Sequence, residues 1–287
     1  MSAQRELYER VADANARDVI RMYSTSFGLA SSLLRGQVRQ DVANIYGLVR
    51  LADEVVDGVA DAYGLDTEAI AAALDALEAE TERALQSGYS TNLIVHAFVG
   101  TARRVQFGTD LTRPFFSSMR TDLSRTEHTP ESFADYVYGS AEVVGLMCFR
   151  TFVAEEHFDA SQDAQFVAGA RALGSAFQKV NFLRDLAADV DGLGRHYFPE
   201  VDFEQFDDAS KVRLVAEIDT ELSQAADMIR LLPASSRRAV ALTHGLFAEL
   251  NRRIARTPAA ELKSHRISVP TAVKARLYLQ ARWGMLG

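Results

Sequence analysis

The chain has 287 residues, 48% of them hydrophobic, and its 39 acidic and 31 basic side chains give a net charge of −8. The apolar content is enough for a sizeable core, which excludes a disordered chain. The negative charge offers no overall attraction to nucleic acid or to an anionic bilayer, so binding of an anionic substrate would require a metal ion or local basic side chains.

The single cysteine, Cys148, lies in an apolar run, which excludes a disulfide and a cysteine-rich zinc site. Charged side chains throughout residues 1–20 exclude a secretory signal, and no stretch approaches the ~18 uninterrupted apolar residues of a membrane span. We therefore expect a soluble protein of a reducing compartment, cytoplasmic and at most peripheral at the inner face of the membrane.

Apolar residues recur at helical spacing along the whole chain. The spacing predicts helices over residues 5–22, 40–57, 66–87, 91–107, 112–124, 130–157, 162–191, 208–231, 235–256 and 269–282. All six prolines fall between these segments or at their starts. Because hairpin signals and Gly/Ser-rich linkers are absent, we expect one all-α domain spanning residues 1–287.

Two acidic motifs, Asp53-Glu54-Val55-Val56-Asp57 and Asp185-Leu186-Ala187-Ala188-Asp189, each place two aspartates four positions apart in a predicted helix. Residues at that spacing share one helix face, with Cβ atoms roughly 5–6 Å apart, so two such carboxylates can bind one divalent cation. Arg50 and Arg184 beside the motifs, in apolar surroundings, indicate a lined cavity and not a solvated surface.

Other metal and nucleotide chemistries lack their sequence signatures. No Glu has His three positions later, as di-iron oxidases require, and the six histidines are scattered singly. Neither a phosphate-binding loop nor a dinucleotide fingerprint is present. Paired aspartates with arginines suit Mg²⁺ bound to substrate phosphates. They predict a clamp that assists the departure of diphosphate by neutralising the charge on its oxygens.

Three stretches resemble the head-to-head prenyl synthases, the squalene and phytoene synthase family, and are most similar to bacterial phytoene synthases. They are residues 23–27, residues 46–57, and residues 178–189 followed by residues 194–199. The third is the most specific, because Asn-x-x-Arg-Asp-x-x-x-Asp followed by Arg-x-Tyr-x-Pro rarely occurs by chance.

The resemblance implies an all-α isoprenoid (prenyl) synthase fold with a central cavity between two aspartate-bearing helices. It implies head-to-head condensation of two geranylgeranyl diphosphates, through prephytoene diphosphate, to phytoene with release of diphosphate, as in carotenoid biosynthesis. It also implies Mg²⁺, with Mn²⁺ as a substitute, and no NADPH. Transient membrane contact for product release is a further expectation, and no nucleic-acid partner is expected.

The resemblance also assigns roles to single residues. The implied metal ligands are Asp53, Asp57, Asn181, Asp185 and Asp189. The implied catalytic residues are the four aspartates with Tyr46 and Arg195. The implied substrate contacts are Ser24, Ser26, Arg50, Tyr136, Gln178, Asn181, Arg184, Tyr197 and Arg266. Tyr46 and Tyr136 are equally explained by core packing, and Ser24 and Ser26 by helix caps or turns. Candidates to shelter carbocations, or else plain core residues, are Phe27, Phe149, Phe177 and Phe182.

Two differences from the residue pattern of the family and two alternative functions stay open. Glu54 stands where many relatives carry Asp, and the sequence does not place Glu142 towards cavity or solvent. One alternative keeps the fold and uses farnesyl diphosphate to make dehydrosqualene or squalene. The other is a non-catalytic helical assembly factor, against which the intact aspartate pairs and arginines argue.

Overall fold

The computed structural model describes residues 2–24, 26–124, 127–156, 159–186, 197–199, 201 and 205–286, with only the backbone for Ser26. In these ranges the chain forms α-helices and one π-helical turn, without a β-strand, which confirms the all-α prediction. Two predicted site residues, Asp189 and Arg195, lie outside the described residues, as does the side chain of Ser26.

The helices follow one another with short connections. They are α1 Ala3–Tyr23, α2 Ser26–Ser31, α3 Gly36–Val56, α4 Val59–Ala62, α5 Thr67–Ser87, α6 Leu93–Val105, α7 Thr109–Ser124, α8 Pro130–Val137, the π-helical turn Tyr138–Glu142, α9 Val143–Phe152, α10 Ala160–Arg184, α11 Asp208–Leu231, α12 Arg237–Arg256, α13 Ala259–Leu262 and α14 Thr271–Arg282. Every predicted helix is present. The unpredicted α2, α4 and α13 are too short to show a hydrophobic period.

Capping side chains set several helix starts. Thr129 accepts a hydrogen bond from the backbone N–H of Ser132 at 3.2 Å and begins α8 as predicted. Asp159 accepts from the backbone N–H groups of Ser161 and Gln162, both at 2.9 Å. Because this cap satisfies the free N–H groups of the first turn, α10 begins at residue 160 and not at the predicted 162.

Three helix predictions need correction. The segment predicted as one helix over 130–157 contains the π-helical turn and ends at Phe152. The segment predicted as one helix over 162–191 is interrupted after Arg184, because Asp185 leaves the helical conformation with φ −101° and ψ 9°; Leu186 is again helical, and residues 187–191 lie outside the described residues. Pro114 lies inside α7 and not at its start, since α7 already begins at Thr109.

Two apolar clusters form the core. One lies among α3, α5, α6, α7 and α9, and the other lies among α10, α11, α12 and α14. Helix α9 packs against α3 on one side and α10 on the other, which places the two predicted acidic helices around a shared centre.

Glycines bring this centre close together. A Cβ atom on Gly174 of α10 would lie 2.6 Å from the carbonyl oxygen of Ala141, and one on Gly145 would lie 2.6 Å from that of Ala170. Such distances leave no room for a side chain, so the π-helical turn and α9 contact α10 backbone to backbone.

A charge cluster around the buried Lys179 joins α10 to α11. Lys179 is 8% exposed and donates to Glu221 at 2.7 Å and to Glu217, while Ser175 donates to Glu221 at 2.8 Å. Burial raises the pKa of Glu221, whereas Lys179 lowers it. These contacts hold α10 against α11, and they are made by Ser175 and Lys179, on either side of Gln178 in α10.

No helix in the described ranges combines the length and the apolar character that crossing a membrane requires.

Candidate functional site

The first acidic motif lies at the carboxyl end of α3. Asp53 is in the last turn, and the helix ends at Val56, so Asp57 is the C-cap with φ −101° and ψ 29°. Its backbone N–H donates to the carbonyl of Asp53 at 2.8 Å. The prediction that both aspartates lie within one helix is therefore wrong by one residue. Burial, together with the charges of Asp57 and Asp122, raises the pKa of Asp53 to about 7, against a lowering by Arg50.

A third carboxylate, Asp122 of α7, belongs to this end of the site and is absent from the sequence-based site. The phenol of Tyr136 donates to its two carboxylate oxygens, at 2.9 and 3.1 Å. Burial and the charge of Asp122 raise the pKa of Tyr136 well above its ordinary value. Asp122 stands in no acidic motif, so only the packing of α7 against α3 and α8 identifies it.

Aromatic rings connect this end to α10. Tyr136 is 4% exposed, and its ring lies 5.5 Å from the ring of Tyr197 and 6.1 Å from that of Phe182. Tyr197 stacks on Phe182 of α10 with the ring centroids 3.9 Å apart. The predicted residues Tyr136 and Tyr197 are thus brought together, and they link Asp122 to the carboxyl-terminal part of α10.

The second acidic motif begins where α10 ends. The backbone N–H of Asp185 donates to the carbonyl of Asn181 at 2.9 Å, which closes the helix. Its carboxylate accepts from Arg184 at 3.0 Å and from Arg266 at 2.6 Å. Three predicted residues therefore meet, Arg184, Asp185 and Arg266, whereas the predicted spacing of Asp185 and Asp189 on one helix face lies outside the described residues.

Arg50 is held in place by two neighbours. It forms an ion pair with Glu54, and its guanidinium lies 4.6 Å from the ring centroid of Tyr23. Its Nε atom is buried and has no hydrogen-bond partner among the described residues. In this structure Glu54 therefore neutralises Arg50. Glu142 likewise pairs with an arginine, Arg171, at 2.6 Å.

Tyr46 and Ser24 meet near Arg50. The pKa of Tyr46 is raised because burial outweighs two opposing effects. The charge of Arg50 and a hydrogen bond with Ser24 both lower this pKa. The hydroxyl oxygen of Ser24 also accepts a hydrogen bond from the backbone N–H of Phe27 at 3.0 Å, as predicted for a serine that caps a helix or turn.

A chain of aromatic rings extends from Tyr46. The ring centroid of Phe27 in α2 lies 6.4 Å from the ring centroids of three other residues, which are Tyr46, Phe177 of α10 and Phe247 of α12. The rings of Phe177 and Phe247 stack with their centroids 3.9 Å apart. Phe247 was not predicted, because α12 carries no acidic motif.

Phe149 and Cys148 belong to α9. Phe149 stacks on Phe166 in the core at 5.3 Å, which supports the core reading of Phe149. Burial raises the pKa of the Cys148 thiol to about 12, as expected for an inert side chain.

Two observations fit a hard cation. The buried Asn181 Oδ1 has no hydrogen-bond partner within the described residues, and the pKa of Asp53 is raised by burial and further by the charges of Asp57 and Asp122. Gln178 lies three residues before Asn181 and is partly buried. In the described ranges no three His, Cys, Asp or Glu side chains form a metal-binding group by themselves. Oxygen donors spread over two helix ends suit a cation that also binds substrate phosphates.

Comparison with known proteins matches the squalene/phytoene synthase family over residues 20–273. A 15-cis-phytoene synthase of Paracoccus sp. is 31% identical over 186 residues, covering 63% of this chain and 58% of that protein. A 15-cis-phytoene synthase of Synechococcus elongatus is 31% identical over 207 residues, covering 70% of this chain and 63% of that protein. Each match therefore spans less than two thirds of the relative's length.

Solved structures show the same fold. A dehydrosqualene synthase in complex with ligand has a TM-score of 0.77 at 20% identity, covering 96% of this chain and 97% of that chain. The squalene synthase HpnC from Alicyclobacillus acidocaldarius has a TM-score of 0.73 at 21% identity, covering 88% and 97%. By the family match over residues 20–273, the chain belongs to the squalene/phytoene synthase family.

Proposed function

We propose that this protein is a phytoene synthase, a prenyltransferase that condenses two geranylgeranyl diphosphates head to head, through prephytoene diphosphate, to phytoene. Diphosphate is released, a divalent cation such as Mg²⁺ is required, and NADPH is not consumed. The product is a lipid, so contact with a bilayer for its release belongs to the proposal. The similarity to two bacterial 15-cis-phytoene synthases supports this reaction over the farnesyl-using one.

One structural relationship carries the proposal. A chain of contacts runs from Asp53 at the end of α3 through Asp122, Tyr136 and Tyr197 to Phe182 of α10. This chain supports one site between the two acidic motifs, although they are far apart in sequence. A non-catalytic protein would gain nothing from crowded carboxylates that repel one another.

The residues that would hold the cation are Asp53, Asp57, Asn181 and Asp185, with Asp189 added by the family motif. When bound, Mg²⁺ supplies positive charge to the phosphate oxygens of the leaving group.

Three arginines complement the phosphates. Arg50 pairs with Glu54, while Arg184 and Arg266 both pair with Asp185. Guanidinium groups bind phosphate through two parallel hydrogen bonds, so a bound diphosphate would replace these carboxylates as the partner. Asp185 would then be released from its ion pairs.

The aromatic chain Phe27, Tyr46, Phe177 and Phe247 supplies a wall for the allylic cation that forms as the first diphosphate departs. Aromatic faces stabilise a cation by about 0.5–2 kcal/mol each and keep water away from it.

The double bond of the second molecule attacks this cation, and proton loss closes the cyclopropane. A second ionisation, rearrangement and proton loss then give phytoene. Tyr46, beside Arg50 and Asp53, would hold its phenol near the departing diphosphate.

The test is incubation of purified protein with Mg²⁺ and either geranylgeranyl or farnesyl diphosphate, with and without NADPH, followed by mass analysis of extracted hydrocarbons. A forty-carbon product without NADPH is expected, and EDTA or Asp53→Ala should abolish it. A thirty-carbon product would assign the farnesyl-using reaction. Absence of product from both substrates would overturn the proposal and favour the assembly factor.

A further inference from the structure

Charge is distributed unevenly along the chain. Residues 232–287 contain ten arginine and lysine side chains against two acidic ones, whereas the whole chain carries a net charge of −8. After Glu261 there is no acidic residue at all. Because salt screens exposed charges beyond ~10 Å, a surface built from this segment acts through its local charge and not through the net charge of the protein.

Helix α14 displays this charge on the outside. Its inner face is buried through Leu277 and Ala281, which are 8% and 1% exposed, and it packs against α12. Lys274, Arg276 and Arg282 form no ion pair with another described residue, and both arginines are exposed. The basic side chains are therefore available to an outside partner.

Large apolar side chains stand among these cations. Leu279 is 46% exposed, Trp283 is 68% exposed and Met285 is 60% exposed. Leu279 and Trp283 are four positions apart and share the outer face of the helix, together with Arg276 and Arg282. Tryptophan and leucine flanked by arginine are typical of helices that lie in the interface of a membrane.

We propose that the outer face of α14, formed by Arg276, Leu279, Arg282 and Trp283 and continued by Met285, binds the surface of an anionic lipid bilayer. Charge complementarity selects the bilayer as the partner, since the basic side chains attract acidic headgroups while Trp283 and Leu279 enter the boundary of the acyl chains. The helix does not cross the membrane.

The face is linked to the site. Arg266, which pairs with Asp185, lies five residues before Thr271, the first residue of α14. Binding of α14 would thus bring the Asp185 end of the site near the membrane. The contact itself rests on α14 alone, whereas its use for product release rests on the proposed function.

Trp283 is the only tryptophan of the chain, so its fluorescence reports on this face directly. Full-length protein without substrate is mixed with vesicles of phosphatidylcholine alone or of phosphatidylcholine with phosphatidylglycerol. With the anionic vesicles we expect a blue shift, quenching by brominated acyl chains, co-sedimentation, and weakening of all three by salt. Arg276→Glu with Arg282→Glu should reduce the affinity at least about tenfold.

The matched control is Arg10→Glu with Arg83→Glu, which makes the same change in net charge at exposed positions of α1 and α5. This variant should bind nearly as wild type does. Absence of binding to anionic vesicles, or equal loss in both double variants, would overturn the proposal. A blue shift that grows with protein concentration without vesicles would also overturn it, because a second copy of the chain would then cover the face. Activity is not part of this measurement, so its outcome is independent of the proposed reaction.

Discussion

The phenol oxygen of Tyr136 lies 2.9 and 3.1 Å from the two carboxylate oxygens of Asp122, and this contact joins α8 to α7 beside Asp53. A neutral phenol next to a carboxylate holds its proton firmly, since burial and Asp122 both raise the pKa of Tyr136. The pair therefore fixes one side of the carboxylate group without adding charge to it.

Asp122→Asn and Tyr136→Phe should each lower turnover by about 10–100-fold while the fold is kept, because each removes a partner that orients the site. If the two residues act as a pair, the double variant should be little worse than either single variant. Product formation and thermal unfolding are measured for all three. Tyr138→Phe is the control, since Tyr138 lies two residues on and contacts Arg171 through its ring. Fully additive losses would contradict the pairing.

Asp53 gives a stability prediction with a defined sign. Its pKa in the folded state, about 7, lies above its ordinary value of 3.8, so the folded protein binds this proton more tightly than the unfolded chain does. Without a divalent cation, the free energy of unfolding should therefore fall as pH rises from about 4 to about 7.

Asp53→Asn should reduce that fall and raise the melting temperature of the cation-free protein at pH 8, while Mg²⁺ should stabilise only the wild type. Thermal unfolding at pH 6 and pH 8, in EDTA and in Mg²⁺, measures both effects. Equal stabilisation of both proteins by Mg²⁺ would remove Asp53 from the cation site.

The first acidic motif should tolerate change unequally. Glu54 forms an ion pair with Arg50 and neutralises it, whereas the negative charge of Asp57 acts on Asp53 and helps to raise its pKa. We expect Glu54→Gln to keep activity within roughly tenfold and Asp57→Asn to lose roughly a hundredfold or more, with a raised requirement for Mg²⁺ only in the latter. Titration of activity against Mg²⁺ tests this, and the reverse order would mean that Glu54 is the chelating residue.

The sequence was sufficient to predict what depends on local chemistry. The spacing of hydrophobic residues located the helices, and motif together with apolar context predicted the aspartates and arginines at 50–57 and 184–185 as candidate site residues. Tertiary packing decided the rest. Asp122 and Phe247 carry no motif of their own, and they join the site only because α7 and α12 pack beside it. The ends of α3 and α10 were misplaced because helical spacing alone does not report that Asp57 and Asp185 are C-caps.

Lys179 should be needed for stability through its two carboxylate partners. Lys179→Met leaves the partly buried Glu221 without its cation, which should cost about 2–4 kcal/mol in urea unfolding. Because the pKa of Glu221 is already raised by burial and then loses the lowering by Lys179, the cost should be greater at pH 8 than at pH 5. Adding Glu221→Gln should restore part of the loss.

The control for Lys179 is Arg230→Met on α11, which removes an exposed ion pair with Asp227 and should change stability by less than about 1 kcal/mol. A pH-independent loss in Lys179→Met would show that packing, and not the buried charge, is what the lysine contributes.

Two glycines in helix interiors should respond in opposite directions to the same substitution. Gly174→Ala places a Cβ atom 2.6 Å from the carbonyl oxygen of Ala141 and 3.0 Å from the backbone of Glu142, so α10 must move away from the π-helical turn. We expect a loss of about 1–3 kcal/mol in the free energy of unfolding.

At Gly100 of α6 a Cβ atom meets nothing within 4 Å, and Gly100→Ala should stabilise the protein by about 0.5–1 kcal/mol through helix propensity. Chemical unfolding of both variants measures the difference. Since α10 carries Asn181 and ends next to Asp185, Gly174→Ala should also lower activity, whereas Gly100→Ala should leave it unchanged. Equal effects of the two substitutions would mean that the close approach of α10 to the π-helical turn is not what holds the site together.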